Sequence, residues 1–171
     1  MTKSLLLTSF DVWKSHHTSN ASDDLLEELL TKKWLQQPVH LLRKLPVDFE
    51  LAPAKVIATM QTVQPDVVVC CGMAEKRSRL SVESNGKVAG EKIYTSVDVR
   101  TLTQDLAFTR VSHNAGKFVC NHTYYSILKY IRDSKLKTDC TFVHVPVLTQ
   151  ENREQIAIDF AQILSRLNLL S

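Results

Sequence analysis

Three residues of the sequence carry side chains that together can cleave an amide bond: Cys120, His144 and Glu83. A cysteine thiolate can attack a carbonyl carbon, an imidazole can take up and return the proton, and a carboxylate can fix the tautomer of that imidazole. Each residue also has a plainer interpretation, as a small buried hydrophobe, a hydrogen-bonded core histidine or a solvent-facing strand residue. The sequence alone does not show that the three meet in space.

The segment around Cys120 predicts a turn that leads into an amphipathic helix. A turn is expected at residues 114–116, and a helix that begins near Val119 places Cys120 in its first turn. The apolar stripe of that helix would continue through Tyr124, Ile127, Leu128 and Ile131. Unpaired backbone N–H groups and the positive end of the helix dipole lie at such a start and favour a thiolate.

Short apolar runs alternate with amphipathic stretches along the rest of the chain. Strands are predicted at residues 4–10, 39–47, 67–72, 77–83, 108–113 and 140–147, and residues 93–99 form a strand or an extended loop. Helices are predicted at residues 23–35, 53–63, 101–107 and 152–167, and turns at 84–86 and 89–90. We expect Asn20 or Ser22 to cap the first of these helices, and Asn152 to cap the last by facing Gln155.

Alternating strands and helices predict a mostly parallel sheet between two layers of helices. Ligands collect at strand ends in such folds, and Cys120, His144 and Glu83 all lie at or near strand ends. The fold class predicted is therefore α/β, with a mostly parallel central sheet between helices and residues 1–171 as a single domain.

Composition and charge exclude several classes of function. The formal charge is only +3, and the basic residues are scattered, which argues against nucleic acid or a membrane surface as partner. No apolar run approaches the about 20 residues that span a bilayer, so a cytoplasmic protein is expected. The four cysteines lack metal-ligand spacing, so we expect free thiols and no shared zinc site.

Five motifs, in order along the chain, resemble those of the pyroglutamyl peptidase I family. The most specific is Ala115-Gly116-x-x-Val119-Cys120-Asn121-His122-x-x-Tyr125, followed by Phe142-Val143-His144-Val145-Pro146. The others are Thr8-Ser9-Phe10 with Asn20, Leu45-Pro46-Val47 with Phe49, and Gly72 to Arg77 with Val82-Glu83. The resemblance therefore extends over nearly the whole chain, and it implies a three-layer α/β/α sandwich of the phosphorylase/hydrolase-like kind.

This resemblance implies a thiol peptidase that releases an N-terminal pyroglutamyl residue from a peptide or small amide. Cys120 would be the nucleophile, His144 the general acid and base, and Glu83 its orienting partner. Backbone N–H groups at Cys120, with Arg77 as an oxyanion or positioning residue, would complete the catalytic set. The implied reaction calls for no metal or organic cofactor. Members of the family are often homotetramers, so a homodimer or homotetramer is expected.

The sequence departs from the family pattern where the substrate is recognised. Phe10 is followed by residues 11–15 instead of a second phenylalanine and two glycines, so that Phe10 and Trp13 would form the aromatic walls. Met73 replaces a residue that is often glutamine, Glu75 and Lys76 replace glycines, and the segment after Glu83 is short. The substrate-binding residues expected are Phe10, Trp13, Met73 and Val119, with altered specificity.

Two other hypotheses come from different classes. A non-catalytic protein could retain the fold and triad-like residues while it binds a small ligand or partner. A nucleoside-phosphorylase-like enzyme shares the general α/β plan, but no glycine-rich phosphate loop is visible among only four glycines. Hydrolysis of a panel of aminoacyl amides separates these hypotheses.

Overall fold

A computed structural model describes residues 2–35 and 38–169. Its strands are β1 (Leu5–Phe10), β2 (Val39–Leu45), β3 (Val67–Met73), β4 (Leu80–Glu83), β5 (Asn85–Val88), β6 (Glu91–Tyr94), β7 (Thr109–Ser112) and β8 (Asp139–Val145). Its helices are α1 (Ala21–Thr31), α2 (Leu51–Val63), α3 (Val99–Thr103), α4 (Val119–Asp133) and α5 (Arg153–Leu169). The predicted α/β alternation is confirmed.

The central sheet has six strands in the order β2-β1-β3-β8-β4-β7. Neighbouring strands run parallel except β4 and β8, which pair antiparallel. The prediction of a mostly parallel sheet is therefore confirmed, and the single antiparallel junction lies where Glu83 and His144 meet.

Helices cover both faces of the sheet, as the strand side chains require. Alternate residues of β1, β3 and β8 point to opposite faces, so that each face carries its own apolar core. The first core packs beneath α1, α3 and α5. The second packs beneath α2 and α4, and includes Phe10, Cys70, Tyr124 and Phe142. The second face is the one that carries the candidate site.

Two helix starts differ in how well the sequence predicted them. Asn20 caps α1, because its side-chain oxygen accepts the Ser22 N–H. The capping contact expected between Asn152 and Gln155 is wrong. The Asn152 oxygen instead accepts the Thr149 N–H at 2.8 Å, and the Gln155 amide donates to Asp159.

A second, two-stranded sheet is the hairpin of β5 and β6. The turn predicted at 89–90 is present, since Ala89 and Gly90 both have positive φ angles, 49° and 86°. The turn predicted at 84–86 is wrong, because Asn85 and Gly86 begin β5. A Cβ on Gly86 would lie 2.6 Å from the backbone of Tyr125, so this glycine lets the hairpin pack directly on α4.

Candidate active site

The register of the sheet brings Gly72, His144 and Glu83 together. Gly72 of β3 pairs with His144 of β8. On the other side of β8, Ser81 pairs with His144 and Glu83 with Phe142. Glu83 is therefore the diagonal neighbour of His144 on the same face of an antiparallel pair, a position from which long side chains reach each other.

Cys120 lies on α4, which packs on the same face of the sheet as His144 and Glu83. It is the second residue of α4, as the sequence predicted. A Cβ on Gly72 would lie 2.5 Å from the Cys120 sulfur and 2.9 Å from Cζ of Phe142. The sulfur thus packs against the α-carbon of Gly72, directly beside the strand position of His144, in space that only a glycine leaves open.

Glu83 holds the histidine. The His144 Nδ1 lies 2.7 Å from Oε1 of the fully buried Glu83. An ionised carboxylate only accepts hydrogen bonds, so Nδ1 carries the proton and Nε2 keeps its lone pair. The imidazole therefore presents an acceptor nitrogen away from Glu83.

Arg77 connects Glu83 to the segment that precedes α4. Its Nη1 donates to Oε1 of Glu83 at 2.5 Å, and its Nη2 donates to the backbone oxygen of Asn114 at 2.9 Å. Sequence reasoning assigned Arg77 an oxyanion or positioning role. These two contacts fit positioning, because they fix the carboxylate and residues 113–117 relative to each other.

The charges of the pair follow from burial and contact. Burial opposes ionisation of Glu83, but the hydrogen bond and charge of His144, with the guanidinium of Arg77, hold its pKa below the ordinary value. Burial lowers the pKa of His144, and the contact with Glu83 offsets this only in part. In the resting state, the carboxylate is ionised and the imidazole is neutral near pH 7.

The Cys120 thiol is protonated in the same state. Although Cys120 retains partial contact with solvent, burial, followed by the nearby Cys70 and Glu83, raises its pKa to about 12. Its own backbone N–H and Arg77 act in the opposite direction and do not compensate. The thiolate that the helix start led us to expect is therefore not the resting form. Cys70, Cys71 and Cys140 are free and fully buried.

The four predicted substrate-binding residues divide between core and surface. Phe10 and Val119 are 2% and 5% exposed and belong to the core beneath α2 and α4. Met73 is half-buried, and its sulfur accepts the Ala21 N–H at 3.4 Å. Trp13 alone has a broadly open side chain, at 50% exposure.

Sequence reasoning missed Phe118. This residue precedes α4 by one position and is 70% exposed, with its ring centroid 6.5 Å from that of Trp13. The two rings form an exposed aromatic pair next to the helix start that carries Cys120. An apolar ring in an otherwise polar turn, two residues before a candidate nucleophile, was the available signal.

One group of side chains in the described ranges has the composition of a metal site. His16, His17 and Glu75 bring their ligand atoms within 4.8 Å of one another. The same Glu75 oxygen that His17 approaches also accepts the Lys14 ammonium at 2.7 Å. Lys14, with smaller contributions from the histidines, lowers the pKa of Glu75 to about 2, so the carboxylate already has a cationic partner.

Similar sequences agree with the motif resemblance. A family profile described as Pyroglutamyl peptidase matches residues 85–163. The pyrrolidone-carboxylate peptidase of Brachyspira hyodysenteriae is 30% identical in an alignment 134 residues long that covers 63% of this chain and 67% of that protein. The chain belongs to the pyroglutamyl peptidase family. A relative of the same name from Brevibacillus brevis is 24% identical, over 90% of this chain and 82% of its own length.

Solved structures of this family have the same fold. Pyroglutamyl peptidase I from Bacillus amyloliquefaciens superimposes with a TM-score of 0.82 at 20% identity, covering 100% of this chain and 97% of that one. Pyrrolidone carboxyl peptidase from Thermococcus litoralis gives 0.80 at 17% identity, covering 98% and 93%. The expected three-layer fold is thus confirmed. No helix in the described ranges is long and apolar enough to cross a membrane.

Proposed function

We propose that the protein is a cysteine peptidase that removes an N-terminal pyroglutamyl or closely related residue through a thioester acyl-enzyme. The observation that carries the proposal is the packing of the Cys120 sulfur against Gly72, the strand partner of His144. Glu83 fixes that histidine with its Nε2 lone pair free. Membership of the pyroglutamyl peptidase family supports the same reaction.

Attack begins from a neutral pair, because burial raises the Cys120 pKa and lowers the His144 pKa. His144 Nε2 takes the thiol proton as the sulfur–carbon bond forms at the substrate carbonyl. The same nitrogen returns the proton to the leaving amine as the carbon–nitrogen bond breaks. Water then adds to the thioester, gives its proton to His144, and the thiol leaves with that proton.

The oxyanion of each tetrahedral intermediate needs preorganised donors. The first intrahelical hydrogen bond of this turn is donated by the His122 N–H to the Phe118 oxygen. Backbone N–H groups of the residues between them have no intrahelical acceptor, since helix starts leave such donors unpaired. We assign the oxyanion to the N–H groups at Cys120 and its helical neighbours, and assign Arg77 to positioning.

The substrate preference should differ from that of the relatives. Met73 cannot donate or accept a strong hydrogen bond to a lactam, and Phe10 is buried in the core. The open aromatic surface is the pair Trp13 and Phe118. Because the Met73 side chain offers no strong polar partner for a lactam, we expect weaker discrimination against residues without a lactam, and several N-terminal residues to be accepted.

Hydrolysis of fluorogenic aminoacyl amides tests the proposal. The pyroglutamyl amide should be cleaved, together with amides of small or cyclic residues such as prolyl, and Cys120→Ser should abolish cleavage of all of them. Cys71→Ser is the matched control, because Cys71 lies on the other face of the sheet. A folded protein that cleaves none of the amides would favour the alternative, a binding protein that retains the peptidase fold.

A further inference from the structure

An open cleft of about 590 Å³ lies beside the start of α4. We call it the basic cleft, because its lining carries three lysines and two histidines and no aspartate or glutamate. Its lining includes Lys87, Lys92, His113, Lys117, Asn121 and His122.

The positive charge of the basic cleft is uncompensated. Lys87, Lys92 and Lys117 form no ion pair with a carboxylate anywhere in the described ranges. Lys14, Lys32 and Lys129, elsewhere on the surface, each have such a partner. The Lys92 ammonium lies over the Tyr94 ring, 5.7 Å from its centroid, which leaves its charge in place. Three ammonium groups without a carboxylate partner around one concave surface create a positive potential that attracts anions.

The hairpin wall of the basic cleft is attached to the residue that follows Cys120. The Lys87 N–H donates to the Asn121 side-chain oxygen at 2.9 Å, and the Asn121 amide donates to the Lys87 oxygen at 2.7 Å. This pair of bonds fixes the strand that carries Lys87 against the first turn of α4. The hairpin wall therefore keeps its position relative to Cys120.

A second part of the lining is attached to Arg77, which also contacts Glu83. Residues 113–117 are held by Arg77 through the Asn114 oxygen, and the His113 Nδ1 lies 2.8 Å from the Ser84 hydroxyl. The Phe49 ring, which is also part of the lining, contacts the His122 ring at a centroid distance of 5.4 Å. The basic cleft is therefore a fixed concavity that begins one residue after Cys120.

We propose that the basic cleft binds carboxylates of the peptide segment that follows the cleaved bond, so that substrates with acidic residues there are preferred. That the ligand is a peptide rests on the proposed function. That the ligand is negatively charged is inferred from the lysines alone. A carboxylate and a phosphate share the chemistry that lysines recognise. We commit to the peptide carboxylate, because two lining residues, Asn121 and His122, directly follow Cys120 in α4.

Equilibrium binding to the Cys120→Ala protein tests the inference without turnover. The probes are three peptides that begin with pyroglutamyl-alanine and end in two glutamates, two glutamines or two lysines. We expect the acidic peptide to bind about fivefold to tenfold more tightly than the neutral one at low salt, with the difference shrinking as salt is added. The lysine peptide should bind least.

Two matched double variants test whether the preference for the acidic peptide arises in the basic cleft. Lys87→Gln with Lys117→Gln should remove the preference for the acidic peptide. Lys55→Gln with Lys137→Gln makes the same change in net charge at exposed positions outside the basic cleft and should leave it intact. Equal binding of acidic and neutral peptides, or equal losses in the two double variants, would overturn the proposal.

Two further measurements distinguish a phosphate ligand from a peptide carboxylate, and the binding proposal from the proposed peptidase function. Inorganic phosphate that binds the basic cleft while the acidic peptide does not would also overturn the carboxylate assignment. Hydrolysis of the same peptides by the wild-type protein tests the proposed function alone. If the protein binds the acidic peptide selectively but hydrolyses none of the peptides, the basic cleft binds carboxylates and the proposed peptidase function is rejected. If it hydrolyses the peptides but binds them equally, the peptidase function is supported and the carboxylate preference of the basic cleft is rejected.

Discussion

The Cys120 sulfur packs against the α-carbon of Gly72, the residue that pairs in register with His144. This contact brings an α-helix start and the end of a parallel strand together at one point. It also makes the size of residue 72 decisive, because a side chain there would occupy the space of the sulfur.

Gly72→Ala should therefore impair catalysis more than folding. The added Cβ would lie 2.5 Å from the Cys120 sulfur and 2.9 Å from the Phe142 ring, so the thiol must move. A shift of about 1 Å at the reacting atoms costs about 100-fold in rate. Steady-state kinetics and circular dichroism of the variant check this. The control is Ser81→Ala, which removes an atom from the other strand partner of His144. Equal kcat in Gly72→Ala and wild type contradicts the packing argument.

In a plot of kcat/KM against pH, the midpoint of the acidic limb should lie below the ordinary pKa of histidine. Burial lowers the pKa of His144, so the neutral base persists to lower pH than in a free imidazole. Glu83 raises that pKa, and Glu83→Gln should therefore shift the limb to still lower pH. The same variant should lose at least about 100-fold in kcat, because the imidazole is no longer held in the productive tautomer. An acidic limb at or above pH 6.5 in the wild type is the contrary result.

Protonation of His144 has a matching consequence for stability. A histidine whose folded pKa lies below its unfolded pKa binds more protons when the chain unfolds. Its contribution to stability is therefore complete above the unfolded pKa, near 6.5, and is lost as pH falls through the window between the two values. Unfolding in urea at a series of pH values measures this.

The four thiols should differ sharply in alkylation. Cys120 retains contact with solvent, whereas the other three are fully buried, so iodoacetamide should label Cys120 first in the folded protein. The raised pKa of about 12 makes this labelling slow at neutral pH, and its rate should climb as pH increases. Peptide mass mapping at several pH values gives the order. Earlier labelling of Cys70 or Cys140 would reject Cys120 as the accessible nucleophile.

Arg77→Met should act through the groups that Arg77 positions. The variant removes the donors to Glu83 and to the Asn114 oxygen, and a hydrogen bond to a charged group contributes about 1.5–3 kcal/mol. We expect the free energy of unfolding to fall by about 2 kcal/mol. Hydrogen exchange at residues 113–117 should accelerate, with kcat reduced more than KM is changed. Arg110→Met, which breaks only a 3.2 Å contact to Ser81, is the control. Unchanged exchange at residues 113–117 would remove the positioning role.

Local sequence patterns predicted the parts of this structure that depend on one segment at a time. The apolar run at 67–72 forms the buried strand β3, and the stripe after Val119 forms α4 with Cys120 in its first turn. The periodicity of side chains specifies which face is buried and where a strand ends. It does not specify strand direction, so the antiparallel pairing of β4 with β8 came only from the structure.

Features that depend on contacts between several segments could not be predicted from the sequence. The helix start favoured a lowered Cys120 pKa, but the packing of Gly72 and Phe142 around the sulfur makes burial dominant. The lysines of the basic cleft are scattered from 87 to 117 and only converge once β5 and β6 fold back on α4. Residue types near strand ends supplied the candidate triad, resemblance to a family favoured it, and the sheet register explains why Glu83 and His144 meet.

The most direct test of the account is acid-quenched mass spectrometry of the protein during turnover of a pyroglutamyl amide. A thioester mechanism predicts a transient mass increase of one pyroglutamyl group, which peptide mapping places on Cys120 and which Cys120→Ser eliminates along with activity. Hydrolysis that persists in Cys120→Ser, or a pyroglutamyl adduct on any other residue, would contradict the assignment of Cys120 as the nucleophile.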